Sequence, residues 1–129
     1  KPAQTDFIAL SGDVNQTRRL AASLAARSDH PVSLAIARAA TEGGVVLHEV
    51  ADFSALPGRG VRGSIDKQIY KLGNHRLIEE LGLCSSETEG QIIALERQGK
   101  TAVLLTNQTE LLAIFAVADT VRETSRQAV

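Results

Sequence analysis

The sequence predicts an α+β fold: a largely antiparallel sheet with helical hairpins packed against it. Three observations lead there. Apolar, branched stretches of strand length recur along the chain. Neighbouring stretches are joined by short polar turns, Asp66-Lys67 and Asn107-Gln108-Thr109-Glu110, which close hairpins and leave no room for parallel crossovers. Helical-period segments arrive in pairs between these strands. The resulting order is strand, two helices, three strands, two helices, two strands. The pattern is compatible with helices on one face of the sheet or on both.

Residues 6–10 read as the first strand, ending at the Ser11-Gly12-Asp13 turn. In 17–27, Leu20, Ala21, Leu24 and Ala25 recur at helical spacing, with Arg18, Arg19 and Arg27 outside the stripe. Asn15 or Thr17 is the expected cap. A second helix covers 31–41, with Leu34, Ala35, Arg38 and Ala39 on one side and a left-handed end at Gly43-Gly44. The many alanines predict a closely packed helix pair. The branched segment 45–53 reads as a strand and 57–63 as a glycine-rich turn. Segments 61–65 and 68–72 form a hairpin. A short helix over 74–81 stops at Gly82. Ser85 or Ser86 caps the next helix, with Glu89 placed for a capping box with Ser86. Ile92, Ile93 and Leu95 are its apolar residues, and Gly99 ends it. Segments 101–106 and 111–118 form the last hairpin.

Composition narrows the function. The 129 residues are one domain by length. A net charge of −1, with no basic run, argues against a nucleic-acid partner. Cys84 is the one cysteine, so no internal disulfide framework exists and a reducing compartment fits. No His, Cys or Asp set has metal-ligand spacing, so no metal site is expected. No apolar run reaches membrane-spanning length, and no direct membrane contact is expected. Lys1 in the place of a methionine and the polar segment 119–129 lead to the expectation of a domain within a longer protein.

Three short motifs stand out. Ser28-Asp29-His30-Pro31 places a histidine at a helix start, because Pro31 suits the first helical position. The N–H groups there lack partners, and the helix dipole is positive. A ring beside them can meet a planar polar ligand, or serve as a cap alone. Pro57-Gly58-Arg59-Gly60-Val61 lets backbone approach a ligand, or is a plain tight turn. Leu72-Gly73-Asn74 sets Asn74 to cap the next helix or to touch a ligand. Gly99-Lys100-Thr101 is not a phosphate loop, since Ala94 stands where its first glycine belongs and the stretch ends a helix. No nucleophile has an adjacent base, so no catalytic residue is expected.

Together, in this order, the three motifs resemble the nucleotide-binding domain of heavy-metal-transporting P-type ATPases. Gly99-Lys100-Thr101-Ala102-Val103, Val117-Ala118-Asp119-Thr120-Val121-Arg122 and Lys1-Pro2 look like further landmarks, and the resemblance spans essentially the whole chain. It implies a six-stranded, mainly antiparallel sheet flanked by two helical hairpins. It implies ATP, with Mg²⁺ on its phosphates, held by His30 at the adenine, Gly58, Gly60 and Val61 along the nucleotide, and Gly73 and Asn74 on the ribose and phosphate side. The implied partners are the phosphorylation and actuator domains of one membrane-embedded pump, this domain being cytoplasmic. The isolated domain would hydrolyse little or no ATP.

One position departs from the family. Many members carry a glutamate five residues before the histidine, facing the adenine amino group; here it is Ala25. The expectation is weaker binding or a substitute acceptor, Asp29 or Glu42. A scaffold module that has lost nucleotide binding is the rival reading. A fragment of a haloacid-dehalogenase-type phosphatase is a third, disfavoured by the ordered motif set.

Overall fold

The computed structural model of the protein describes residues 2–119. The elements are β1 (Pro2–Ala9), α1 (Val14–Arg27), α2 (Pro31–Glu42), β2 (Ala51–Leu56), β3 (Gly60–Ile65), β4 (Gln68–Gly73), α3 (His75–Leu81), α4 (Ser86–Arg97), β5 (Thr101–Thr106) and β6 (Leu111–Asp119). The six strands form one sheet in the order β1-β6-β5-β4-β3-β2. Every neighbouring pair is antiparallel, as the hairpin turns predict. The Asp66-Lys67 turn has both residues at positive φ, 52° and 69°, matching the right-handed twist of the strands it joins.

The period-2 alternation of the central strands decides the layering. Val103, Leu105, Phe115 and Val117 point to one core with Leu20, Leu24, Ala35 and Ile36 of the α1–α2 pair. Ala102, Leu104, Ile114 and Ala116 point to a second core with Ile78, Ile92 and Leu95 of α3 and α4. The helices therefore cover both faces of the sheet. This is why β5 and β6 are apolar almost without interruption: each residue faces one core or the other. Phe7 and Phe115 are register partners and stack at 4.9 Å between centroids, an arrangement worth about 0.5–1.5 kcal/mol beyond burial. Lys100 Nζ lies 2.7 Å from Asp6 Oδ1, tying β1 to the start of β5 and holding the Asp6 carboxyl below its ordinary value.

Several expectations need correction. The first strand begins earlier, at Pro2. The cap of α1 is Asp13, whose Oδ2 accepts from the Gln16 N–H at 2.8 Å, while Thr17 lies inside the helix with its hydroxyl donating to the Asp13 carbonyl. The buried side of α2 is Ala35, Ile36, Ala37 and Ala40; Leu34 and Arg38 are exposed. The left-handed glycine after α2 is Gly44 alone, at φ 88°.

Segment 45–53 is a strand only from Ala51. Its earlier backbone groups are occupied by α1 side chains. Arg19 donates to the Val46 carbonyl, the His48 N–H donates to Ser23 Oγ, and Arg27 donates to the Val50 carbonyl. The cap of α4 is Ser85, not Ser86; its hydroxyl accepts from the Thr88 N–H. Glu89 forms no capping box and turns instead to Cys84 and His75. Among the described residues, no helix is long and apolar enough to cross a membrane. The motif residues Thr120-Val121-Arg122, and most of the polar segment expected at 119–129, lie outside the described residues.

Candidate functional site

Three connections meet at one edge of the domain: the α1–α2 loop, the β2–β3 turn and the β4–α3 junction. Between them lies a cleft of about 710 Å³, which His30, Gly58, Gly60, Val61, Gly73 and Asn74 all line. The six residues singled out in the sequence are thus brought together. Its apolar lining comes from Phe53, Val61, Leu72 and Val103, and its polar rim from Ser28, Asp29, His30, Arg59 and Asn74.

One wall follows from Pro31. His30 is the N-cap of α2, at φ −75° and ψ 132°. Its Nδ1 accepts from the Val32 N–H at 3.2 Å. An acceptor at Nδ1 places the proton of the neutral ring on Nε2, leaving that N–H as a donor beside the cleft. The Ser28 hydroxyl accepts from the His30 N–H at 3.1 Å, so the loop that carries the ring is fixed on both sides.

The opposite wall is the glycine turn. Gly58 is at φ 72° and Gly60 at φ 153°. Gly60 and Gly73 are register partners in β3 and β4. An added Cβ on Gly60 would lie 2.2 Å from the Leu72 carbonyl oxygen, and one on Gly73 would lie 2.5 Å from the Arg59 carbonyl oxygen. The two glycines therefore allow the turn to close down on β4, which shapes this side of the cleft. Asn74 holds the closure. Its Oδ1 caps α3 through the Leu77 N–H, its Nδ2 donates to the Gly58 carbonyl at 2.9 Å, and its own N–H donates to the Arg59 carbonyl at 2.8 Å. The side chain of Asn74 is a brace between turn and helix.

Arg59 also crosses to α3, with Nε 2.6 Å from Glu80 Oε1. This contact holds the Glu80 carboxyl below its ordinary value. On the β2 side, the Arg27 guanidinium sits 5.2 Å from the Phe53 ring centroid, in cation–π range.

Ala25 is fully buried in the α1–α2 core and does not line the cleft. The position at which the resemblance leads one to expect a glutamate is part of the packed interior here. Of the two substitute acceptors, Glu42 is excluded by its place at the far end of α2, whereas Asp29 borders the cleft. Sequence reasoning gave Phe53, Leu72 and Val103 no role in the cleft, although Leu72 and Val103 stand in quoted motifs. They carry no signal of their own, because an apolar strand residue at a cleft reads the same as one in the core. A slot with an apolar floor, a histidine N–H on one side and backbone on the other suits a flat, polar heterocycle.

No family model matches the chain. The chain is 36% identical over 125 residues to the copper-exporting P-type ATPase B of Archaeoglobus fulgidus, covering 97% of this chain and 18% of that protein. It is also 36% identical over 134 residues to a probable cadmium-transporting ATPase of Staphylococcus aureus, covering 99% of this chain and 18% of that protein. It thus spans about a fifth of the length of the curated relatives it matches. Its fold superposes on the catalytic domain of the CPx-ATPase CopB-B, in a structure concerned with conformational changes upon nucleotide binding, with a TM-score of 0.65 and 29% identity over 92% of this chain and 37% of that one. The N-domain of the copper-transporting P-type ATPase HMA6 shares the fold with a TM-score of 0.70 at 20% identity, covering 91% of this chain and 98% of that one.

Proposed function

The chain belongs to the heavy-metal-transporting P-type ATPases as a nucleotide-binding domain, and we propose that it holds ATP in this cleft and presents the γ-phosphate to the phosphorylatable aspartate of a neighbouring domain. The observation that carries the reading is the convergence of His30, the Gly58–Gly60 turn and the Gly73-Asn74 junction on one cleft. The adenine lies over Val61, Leu72 and Val103, with the His30 Nε2–H at its edge. The ribose and phosphates run out along the glycine turn, where backbone approaches closely and the phosphates leave the domain.

Among the described residues, Asp29 is the single carboxylate bordering the cleft. Mg²⁺ seeks octahedral oxygen ligands, and one rim carboxylate is no cage. The donor set therefore fits a cation that arrives on the phosphates and is completed by the next domain. When bound, Mg²⁺ supplies charge neutralisation for phosphoryl transfer. The described cleft residues act by orienting the nucleotide. In the whole pump this domain faces the phosphorylation and actuator domains on the cytoplasmic side, and domain closure couples the transfer to metal movement.

Asp29 takes the role left open by Ala25, accepting from the adenine amino group. Calorimetric titration with ATP and with GTP tests this, since guanine presents a carbonyl at the corresponding position. ATP is expected to bind more tightly than GTP, and Asp29→Asn to weaken ATP by about 1 kcal/mol, roughly fivefold, with little change for GTP. Equal binding of the two nucleotides by the unaltered chain would remove the adenine-acceptor role. No binding of either would favour the scaffold reading.

A further inference from the structure

We propose that His75, Cys84 and Glu89 form a binding site for a borderline or soft divalent cation of the Zn²⁺ and Cd²⁺ class, in the α3–α4 hairpin and separate from the nucleotide cleft. Their donor atoms, one nitrogen, one sulfur and one carboxylate oxygen, all lie within 4.8 Å of one another, and each side chain is half-buried. Glu89 is the centre of the group. Its Oε2 accepts from the Cys84 thiol at 3.0 Å, and its Oε1 is 3.0 Å from His75 Nε2. None of the three lines the nucleotide cleft.

The fold builds this group from three places. His75 opens α3, held by the Asn74 cap before it. Cys84 lies in the short link after Gly82. Glu89 is on the first turns of α4, freed from capping because Thr88 answers Ser85. The spacing in sequence carries no ligand motif, which is why the sequence predicted no metal site.

Two features point to a cation and not to a finished hydrogen-bond network. His75 Nε2 is closed off from solvent and makes no aligned hydrogen bond despite its nearness to Glu89. The nearest groups to this nitrogen are carboxylate oxygens, Glu89 Oε1 at 3.0 Å and Glu79 Oε2 at 3.7 Å, so a dication here meets nitrogen and oxygen donors together. The three donors are also of the types that Zn²⁺ and Cd²⁺ accept together: imidazole, thiolate and carboxylate. Tetrahedral coordination sets neighbouring ligand atoms about 3.5 Å apart, which the present separations reach with small side-chain movements. Glu79, with Oε2 3.7 Å from His75 Nε2 on the next turn of α3, is in reach as a fourth donor.

Without a cation, burial and then the Glu89 and Glu79 carboxylates push the Cys84 thiol up to about 12, which favours the protonated sulfur. A dication at the site inverts that preference. The sulfur binds as thiolate, and the displaced proton passes to solvent. Hard cations do not favour such a donor set, so Mg²⁺ does not compete.

The test is a titration of the metal-free chain with Cd²⁺ in a non-thiol reductant. The readouts are the ultraviolet sulfur-to-cadmium charge-transfer band and the amide spectrum. One equivalent is expected to bind at micromolar Cd²⁺, to shift the amides of His75, Cys84 and Glu89, and to resist a large excess of Mg²⁺. Cys84→Ser abolishes the band. His75→Gln and Glu89→Gln, each with a native amide spectrum, weaken binding tenfold or more, by roughly the factor expected for disturbing a coordinated site. Unchanged affinity in both of the latter variants would reduce the site to a bare thiol and overturn the proposal, as would the absence of one-equivalent binding in the unaltered chain.

Discussion

Replacing His30 with alanine is expected to weaken ATP binding by about 1–3 kcal/mol, the cost of losing a polar partner at a partly enclosed site; the middle of that range is some thirtyfold in affinity. The same change removes the cap of α2, because His30 Nδ1 accepts from the Val32 N–H, and costs roughly 1 kcal/mol of stability. The two effects separate in His30→Asn, which keeps an acceptor for the helix but has no ring at the cleft. Its stability should stay near that of the unaltered chain, while its ATP affinity falls with that of His30→Ala. Calorimetry and urea denaturation read the two quantities independently. Full ATP affinity in His30→Asn would take the imidazole out of the site and leave it a cap.

Gly60→Ala carries the largest expected loss of stability. An added Cβ meets the Leu72 carbonyl and the Gly73 Cα at 2.2 Å and 2.5 Å, both backbone atoms that cannot turn aside, at a φ of 153°. Separating β3 from β4 here strains the backbone and undoes the Asn74 brace; about 3 kcal/mol is expected from overpacking and strain combined. Gly58→Ala makes a contrast. Its φ is 72°, but nothing lies within 4 Å of the added Cβ, so the cost is the left-handed conformation alone, about 1 kcal/mol. Urea midpoints of the two variants measure the difference. Equal, small losses would mean that the close approach of turn and strand is not what requires Gly60.

The parts of this molecule that the sequence made legible are those set by neighbours in the chain. Pro31 fixes the start of α2 and makes His30 its cap. Asp66-Lys67 sets the β3–β4 register, and that register carries Gly60 to Gly73. Asn74 was readable as a cap for the same reason. What stayed hidden depends on partners far along the chain. Val45 to Val50 has the branched residues of a strand, yet Arg19, Ser23 and Arg27 occupy its backbone groups. No local pattern encodes that competition. The layering was equally hidden, since an unbroken apolar strand such as β6 signals burial on both faces only once the helices are known to be there. Ala25 resembled a lost ligand contact, but it is a buried alanine in the α1–α2 contact. The grouping of His75, Cys84 and Glu89 arises from two helices turning back on each other, and its spacing resembles no ligand motif.

The most direct test of the nucleotide reading is an amide-resolved titration of this chain with ATP, with GTP in parallel. Saturable shifts are expected at His30, over residues 58–61 and at Gly73 and Asn74, with ATP preferred. The absence of saturable change at millimolar ATP would contradict it. So would shifts centred elsewhere, such as the shallow recess of about 210 Å³ beside Arg62, Lys71 and Gln108.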